Sequence, residues 1–145
     1  MKSRYSLGEV AMMTGLTTRT LRTYMKNGLL KGEMEDRRWT FSVEHLKDFF
    51  ASDFVMEGIK IKSHGIIYNF IEDSHKNTPS SCFIYDLPES LEKVNEMIQI
   101  IVSDMEHRKG NLRFSYYYNQ REKFGRIILS GDIKAIHEII GKIVD

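Results

Sequence analysis

The sequence predicts an α+β chain in two parts: an all-α N-terminal part carrying a small wing, then strand, helix, strand, strand and helix. Three observations lead there. Before residue 73 the segments place apolar side chains at helical spacing. A polar stretch, DSHKNTPSS at residues 73–81, then breaks the pattern and contains Pro79, as linkers do. Beyond it Leu112, Phe114, Tyr116 and Tyr118 alternate with Arg113, Ser115 and Tyr117, the period of a strand. The boundaries drawn from this are residues 1–73, a linker at 74–81, and an α+β part at 82–145.

Each element has its own signal. Ser6 caps a short helix bearing Leu7, Val10 and Ala11, with Glu9 at the capping-box position. Gly15 ends it. Thr17 or Thr18 caps the next helix, which stops at Asn27-Gly28 and turns Leu21 and Tyr24 or Met25 inward. KGEMEDRRWTF suits a short two-stranded wing. Ser42 caps a third helix with Leu46, Phe49, Phe50 and Val55 or Met56 on its apolar side. Ser63 opens a fourth, with Ile66, Ile67, Phe70 and Ile71.

In the second part Cys82–Tyr85 reads as a short strand. Pro88 fits a first helical turn, and Leu91, Val94, Ile98, Ile101, Val102 and Met105 line one face until Gly110-Asn111. A strand from Leu112 to Tyr118, a turn at residues 119–123 and a strand from Phe124 to Leu129 come next. Ser130-Gly131-Asp132 opens a last helix with Ile133, Ile136, Ile140 and Ile143.

Composition narrows the function. At 145 residues, 41 % hydrophobic and 28 % charged, the chain has the mixture of a soluble folded protein. No run of roughly 18 apolar residues could span a membrane, and residues 1–15 lack the apolar core of a signal peptide. A cytoplasmic location is expected. The single Cys82 makes no internal disulfide and no thiolate cage, so it is expected to be an ordinary buried or half-buried side chain.

The net charge of +1 hides a local pattern. Arg19, Arg22, Lys26, Lys31, Arg37 and Arg38 fall in one short stretch, and patches rather than totals bind phosphate. Two short helices joined by a tight turn make a helix-turn-helix, whose second helix can enter the major groove of double-stranded DNA. Thr17, Thr18 and Arg19 sit at its N-terminus, where amide groups and the helix dipole favour phosphate. Arg22 lies on the same face as Arg19. Arg37 and Arg38 on the wing can reach the backbone or minor groove.

YSLGEVAMMTGLTTRTLRTYMKNGLL resembles the start of a MerR-type regulator, through Gly15, Leu16, Thr17, Thr20, Leu21, Arg22, Tyr24, Gly28, Leu29 and Leu30. RRWTFSVEHLKDFF resembles the family's wing end and following helix. The resemblance covers about the first half of the chain. It implies a winged helix-turn-helix that contacts DNA through Thr17, Thr18, Arg19, Arg22, Tyr24 and Arg37 or Arg38. For Tyr24, phosphate contact and core packing are equally open. Leu16, Leu21, Leu29 and Leu30 are expected to hold the two helices together, and Trp39 to anchor the wing. Three features depart from the family pattern. Thr23 replaces the first tyrosine of the usual pair. Arg37-Arg38-Trp39-Thr40-Phe41 is close to excisionase-like forms. The long heptad helix that pairs family members is not evident before the polar stretch.

The second part resembles an incomplete ferredoxin-like unit, which by itself says little about function. Its aromatic run, Phe114 and Tyr116 to Tyr118, suits a sheet with core on one face and surface on the other, or a pocket lining or a stacking surface for a partner. His45, His64, His75, His107 and His137 show no zinc-site spacing, and no nucleophile elbow, P-loop or dinucleotide turn occurs. No metal, cofactor or enzymatic activity is therefore expected. The expectation is a sequence-specific transcription regulator, a homodimer whose second part dimerises or senses an effector of unknown chemistry. An excisionase-like or chromosome-architectural DNA binder and a protein-interaction adaptor are the alternatives.

Overall fold

Ser6, Thr17, Ser42, Ser52, Ser90 and Asp132 all accept backbone N–H groups at the start of a helix, and these caps punctuate the fold. The computed structural model describes residues 4–110 and 112–144. In chain order they form β1 (Arg4–Ser6), α1 (Leu7–Thr14), α2 (Thr18–Lys26), β2 (Glu33–Glu35), β3 (Arg38–Ser42), α3 (Val43–Ala51) and α4 (Asp53–Glu72). Then come β4 (Ser80–Leu87), α5 (Leu91–His107), β5 (Arg113–Asn119), β6 (Phe124–Asp132) and α6 (Ile133–Ile143). The architecture is α+β, with two antiparallel three-stranded sheets in the orders β1-β3-β2 and β4-β6-β5.

The small sheet carries the wing. Strand β1, which the sequence reading did not anticipate, pairs Tyr5 with Phe41 and so closes the sheet over the helix-turn-helix core. Leu21, Leu46, Phe41 and Phe49 are fully buried there. Each such side chain contributes about 1.5–3 kcal/mol on leaving water.

Several boundaries differ from expectation for identifiable reasons. The third helix ends at Ala51, and Ser52 caps a separate 20-residue helix, so Val55 and Met56 belong to α4. Ser63 does not open a helix. It lies within α4, buried, with its hydroxyl bonded to that of Ser115. Pro88 precedes α5, because the Ser90 hydroxyl takes the Lys93 N–H and starts the helix three residues later than a proline-led turn would. Ser130 and Gly131 extend β6 opposite Cys82 and Ser81, leaving Asp132 alone to cap α6. The stretch drawn as a linker gives its last two residues, Ser80 and Ser81, to β4. Helix α5 ends at His107, and the expected stop at Asn111 lies outside the described residues.

The larger sheet is covered on both faces. Tyr116 turns its hydroxyl to Asn95 of α5, donating at 2.7 Å, while Ser115 turns to α4. Residues 114–118 are therefore all buried, and the alternation read from the sequence as core and surface is core on both sides. Strand β5 is an edge strand, and α1, α3 and α4 pack against it. Phe50 meets Tyr116 edge-on at 5.4 Å between ring centroids, so one apolar core runs through both parts of the chain. Helices α5 and α6 are joined by an ion-pair cluster. Asp104 accepts from Arg108 and from Lys142, each at 2.7 Å, and Arg108 also pairs with Glu138.

Helix α4 alters the expectation for the segment between the wing and the polar stretch. It exposes Phe54, Ile61 and Tyr68 at seven-residue intervals, with Ile71 alongside. A heptad-spaced stripe thus stands before the polar stretch, where the sequence reading found none. It escaped notice because Glu57 and His64 occupy the intervening positions of the seam.

Candidate nucleic-acid interface

The turn of the helix-turn-helix is fixed by three local devices. Gly15 ends α1 at φ +77°, a left-handed conformation that suits glycine. Its Cα also lies against β5, where an added Cβ would stand 3.4 Å from the Ser115 side chain. The Thr14 hydroxyl donates to the Val10 carbonyl at 2.8 Å and accepts from the Leu16 N–H at 3.3 Å. Thr17 then caps α2 by accepting from the Thr20 N–H at 3.1 Å. Of the two caps left open by the sequence, Thr17 is the one used, and Thr18 becomes the first residue of the helix.

Helix α2 buries Leu21 and Tyr24 and leaves Thr18, Arg19, Arg22, Thr23 and Lys26 around one shallow exposed groove. Arg19, Arg22 and Lys26 follow the three- and four-residue spacing of a single helix face. Among the described residues none of the three makes an ion pair, so their charge is available to an external anion. Lys26 joins the site although the sequence reading did not name it as a site residue; the signal was its position one turn beyond Arg22. Thr23 points outward, but its hydroxyl donates back to the Arg19 carbonyl at 3.1 Å.

Tyr24 resolves into packing. Its ring is buried against Phe49 at 5.8 Å and Phe54 at 6.0 Å, and its hydroxyl lies over Gly58 of α4, where any Cβ would come within 2.8 Å of it. Of its two open roles, burial selects the core. Leu16, Leu21 and Leu30 are buried and Leu29 is half-buried, so these four hold the two helices and the wing together.

The wing is a two-residue hairpin. Glu35 pairs with Arg38, leaving Asp36 and Arg37 as the turn, at φ +48° and +67°. Two positive φ values mark a type I′ turn, whose twist suits a hairpin and which favours Asn-Gly. Neither residue here is glycine, so the tip carries local strain. Arg37 and Arg38 are both exposed. Trp39 is half-buried on the opposite face of β3, against the core.

The acidic wing residues do not cancel these arginines. Arg4 reaches across from β1 to Glu33 at 3.1 Å and Glu35 at 3.3 Å, occupying both carboxylates. Their partner lies on β1, a strand the sequence did not predict. The sequence-derived site residues thus divide between the exposed α2 face (Thr18, Arg19, Arg22), its capped end (Thr17), the wing tip (Arg37, Arg38) and the core (Tyr24).

Other chemistry is sparse. Among the described residues no group of three or more His, Cys, Asp and Glu is placed to hold a metal ion. No helix among them is long and apolar enough to cross a membrane. Cys82 is half-buried, and burial pushes its thiol pKa up, away from the reactive thiolate.

Residues 5–49 match the family model described as MerR HTH family regulatory protein. No curated protein matches the chain, and no solved structure does. The match spans α1, the turn, α2, the wing and most of α3, the same elements that build the exposed cationic face. Residues 5–49 are a helix-turn-helix of the MerR type.

Proposed function

We propose that the chain is a sequence-specific transcription regulator that reads double-stranded DNA through α2 and the wing. The observation that carries this reading is the row of Arg19, Arg22 and Lys26 on one exposed helix face, free of carboxylate partners among the described residues. Arg19, nearest the helix N-terminus, is assigned to base edges in the major groove. Arg22 and Lys26 are assigned to phosphates, together with the N–H groups that follow Thr17. Arg37 and Arg38 reach the flanking backbone or minor groove. The second part of the chain pairs two copies or senses a signal; pairing would set two reading heads on two half-sites.

The test is selection of bound duplexes from a randomised pool with the full chain, followed by titration of the best sequence across a salt series. Enrichment of a defined site, with affinity falling linearly in log salt, supports the reading. Salt-dependent binding with no enriched sequence would make the protein a chromosome-architectural factor. Absence of binding at low salt would leave the adaptor alternative.

A further inference from the structure

We propose that the outer edge of β4 pairs antiparallel with β4 of a second copy, joining two larger sheets into one of six strands. This rests on the reading of the chain as a paired DNA binder, and names the surface that does the pairing.

Strand β4 is an edge in the order β4-β6-β5, and its outer side has no strand partner among the described residues. Its pairing with β6 runs unbroken over eight residues, from Ser80 opposite Asp132 to Leu87 opposite Gly125. Proteins blunt such edges with lysine, proline, bulges or covering elements. No lysine, proline or bulge interrupts SSCFIYDL, and the helix that packs against the strand is α6. The other edge strand of the same sheet, β5, is packed by α1, α3 and α4. The lone charge on β4, Asp86, is neutralised within its own chain by two bonds from Arg126, at 2.7 and 2.8 Å.

The edge is complementary to itself. A two-fold axis through Ile84 sets Ile84 against its own copy on the α4 side of the sheet, where the residue is 49 % exposed. On the other side the same register sets Phe83 against the partner's Tyr85, and Tyr85 against the partner's Phe83. These rings already stack within one chain, at 5.7 Å, and both are half-buried. Aromatic and β-branched pairs facing across strands are the favourable ones. The two Asp86 side chains stay about 13 Å apart, four residues along a strand, beyond a Debye length at physiological salt. A two-fold contact of this kind uses one patch twice and closes the assembly at two copies.

The competing surface is the stripe on α4. Pairing two α4 helices would bring Glu57 and His64 into the seam between Phe54, Ile61 and Tyr68, and burying ionisable groups costs desolvation even where they pair. Pairing β4 buries no unpaired charge, which favours the strand.

Sedimentation equilibrium of the full chain without DNA, at micromolar concentration, is expected to give twice the mass of one chain. Ile84→Lys is expected to give a single mass with an unchanged circular dichroism spectrum, and Ile61→Lys to remain double. Cys82→Ser, Ile84→Cys gives an independent readout. Directly opposed residues of antiparallel strands lie about 4.5–5.5 Å apart, within disulfide reach. This double variant should cross-link under mild oxidation, and Cys82→Ser alone should not. A single mass for the unaltered chain overturns the proposal, as does loss of the dimer in Ile61→Lys with retention in Ile84→Lys. The functional reading fails separately, through duplex titration. A chain that dimerises through β4 but binds no duplex refutes DNA reading and leaves the interface standing.

Discussion

The face of α2 with the wing tip and the α5–α6 and β4–β6 contacts of the second part treat their cations in opposite ways. On α2 and the wing tip, Arg19, Arg22, Lys26, Arg37 and Arg38 point into solvent without carboxylate partners among the described residues. In the second part Arg108 holds Asp104 and Glu138, Lys142 holds Asp104, and Arg126 holds Asp86. Arg4 stands between these cases, since it sits in the reading head yet directs its charge to Glu33 and Glu35. A cation that is paired internally serves the fold. A cation left free on a helix face is a surface for phosphate. The contrast separates arginines that the fold uses from arginines that remain available to an external anion by what they touch, which the type of residue cannot do.

The strongest way to break this contrast is to remove the anion at the centre of the paired cluster. The Asp104 side chain is only 3 % exposed. Asp104→Ala leaves Arg108 and Lys142 without their shared partner and should cost about 3 kcal/mol of stability. DNA affinity, measured well below the melting temperature, should not change. A urea midpoint equal to that of the unaltered chain would show that the cluster is decorative.

Acid titration reaches the same group without mutation. The neighbouring Arg108 and Lys142 hold the Asp104 carboxyl at about 2, below its ordinary 3.8. The unfolded chain therefore takes up this proton more readily than the folded one. The stabilisation is complete above about pH 4, falls as the pH drops from there toward 2, and is worth about 2 kcal/mol. Urea unfolding followed across that range should lose more stability in the unaltered chain than in Asp104→Ala, by about this amount.

Removing a free cation should do the reverse. Arg19→Ala should leave the melting temperature unchanged, weaken binding to the selected duplex by about 2 kcal/mol, and relax preference at one base position. Arg22→Ala should weaken all duplexes alike and reduce the salt slope by about 1. Unchanged titration curves for both variants would end the assignment of α2 as the reading helix.

The smallest expected effect lies at the wing tip. Arg37→Gly removes a side chain from a left-handed position that glycine occupies without strain. Stability should rise by up to about 1 kcal/mol, while affinity for the selected duplex falls. A variant that loses stability would show that the Arg37 side chain belongs to the fold.

The same contrast explains which elements were legible in the sequence. The helix-turn-helix could be read residue by residue because its devices are local: Ser6 with Glu9, Gly15 in the turn, and Thr17 three residues before Thr20. The cationic face was equally visible, since it derives from helical spacing alone. The features that escaped depend on partners far along the chain. Ser63 looks like a cap because serine caps helices, yet its partner is Ser115, 52 residues away. Ser115 and Tyr117 look like the outer face of a half-exposed strand until α4 is laid across them. Arg4 carries no local signal of its role, which arises only because β1 places it beside the wing. Tyr24 could not be assigned from its own helix, because the residues that bury it, Phe49 and Phe54, lie on α3 and α4.

The seating of the turn on the larger sheet has a mechanical consequence. Gly15 lies on Ser115, and the Ser115 hydroxyl donates to the Thr14 carbonyl at 2.9 Å, so the pivot of the reading helix rests on β5. Helix α2 extends about 13 Å from that pivot. It acts as a pointer, and a tilt of about 5° at the turn carries its far end through about 1 Å, enough to make or lose a hydrogen bond to a base or phosphate. A sub-ångström adjustment of the β5–β6 hairpin would thereby be magnified at the exposed far end of α2.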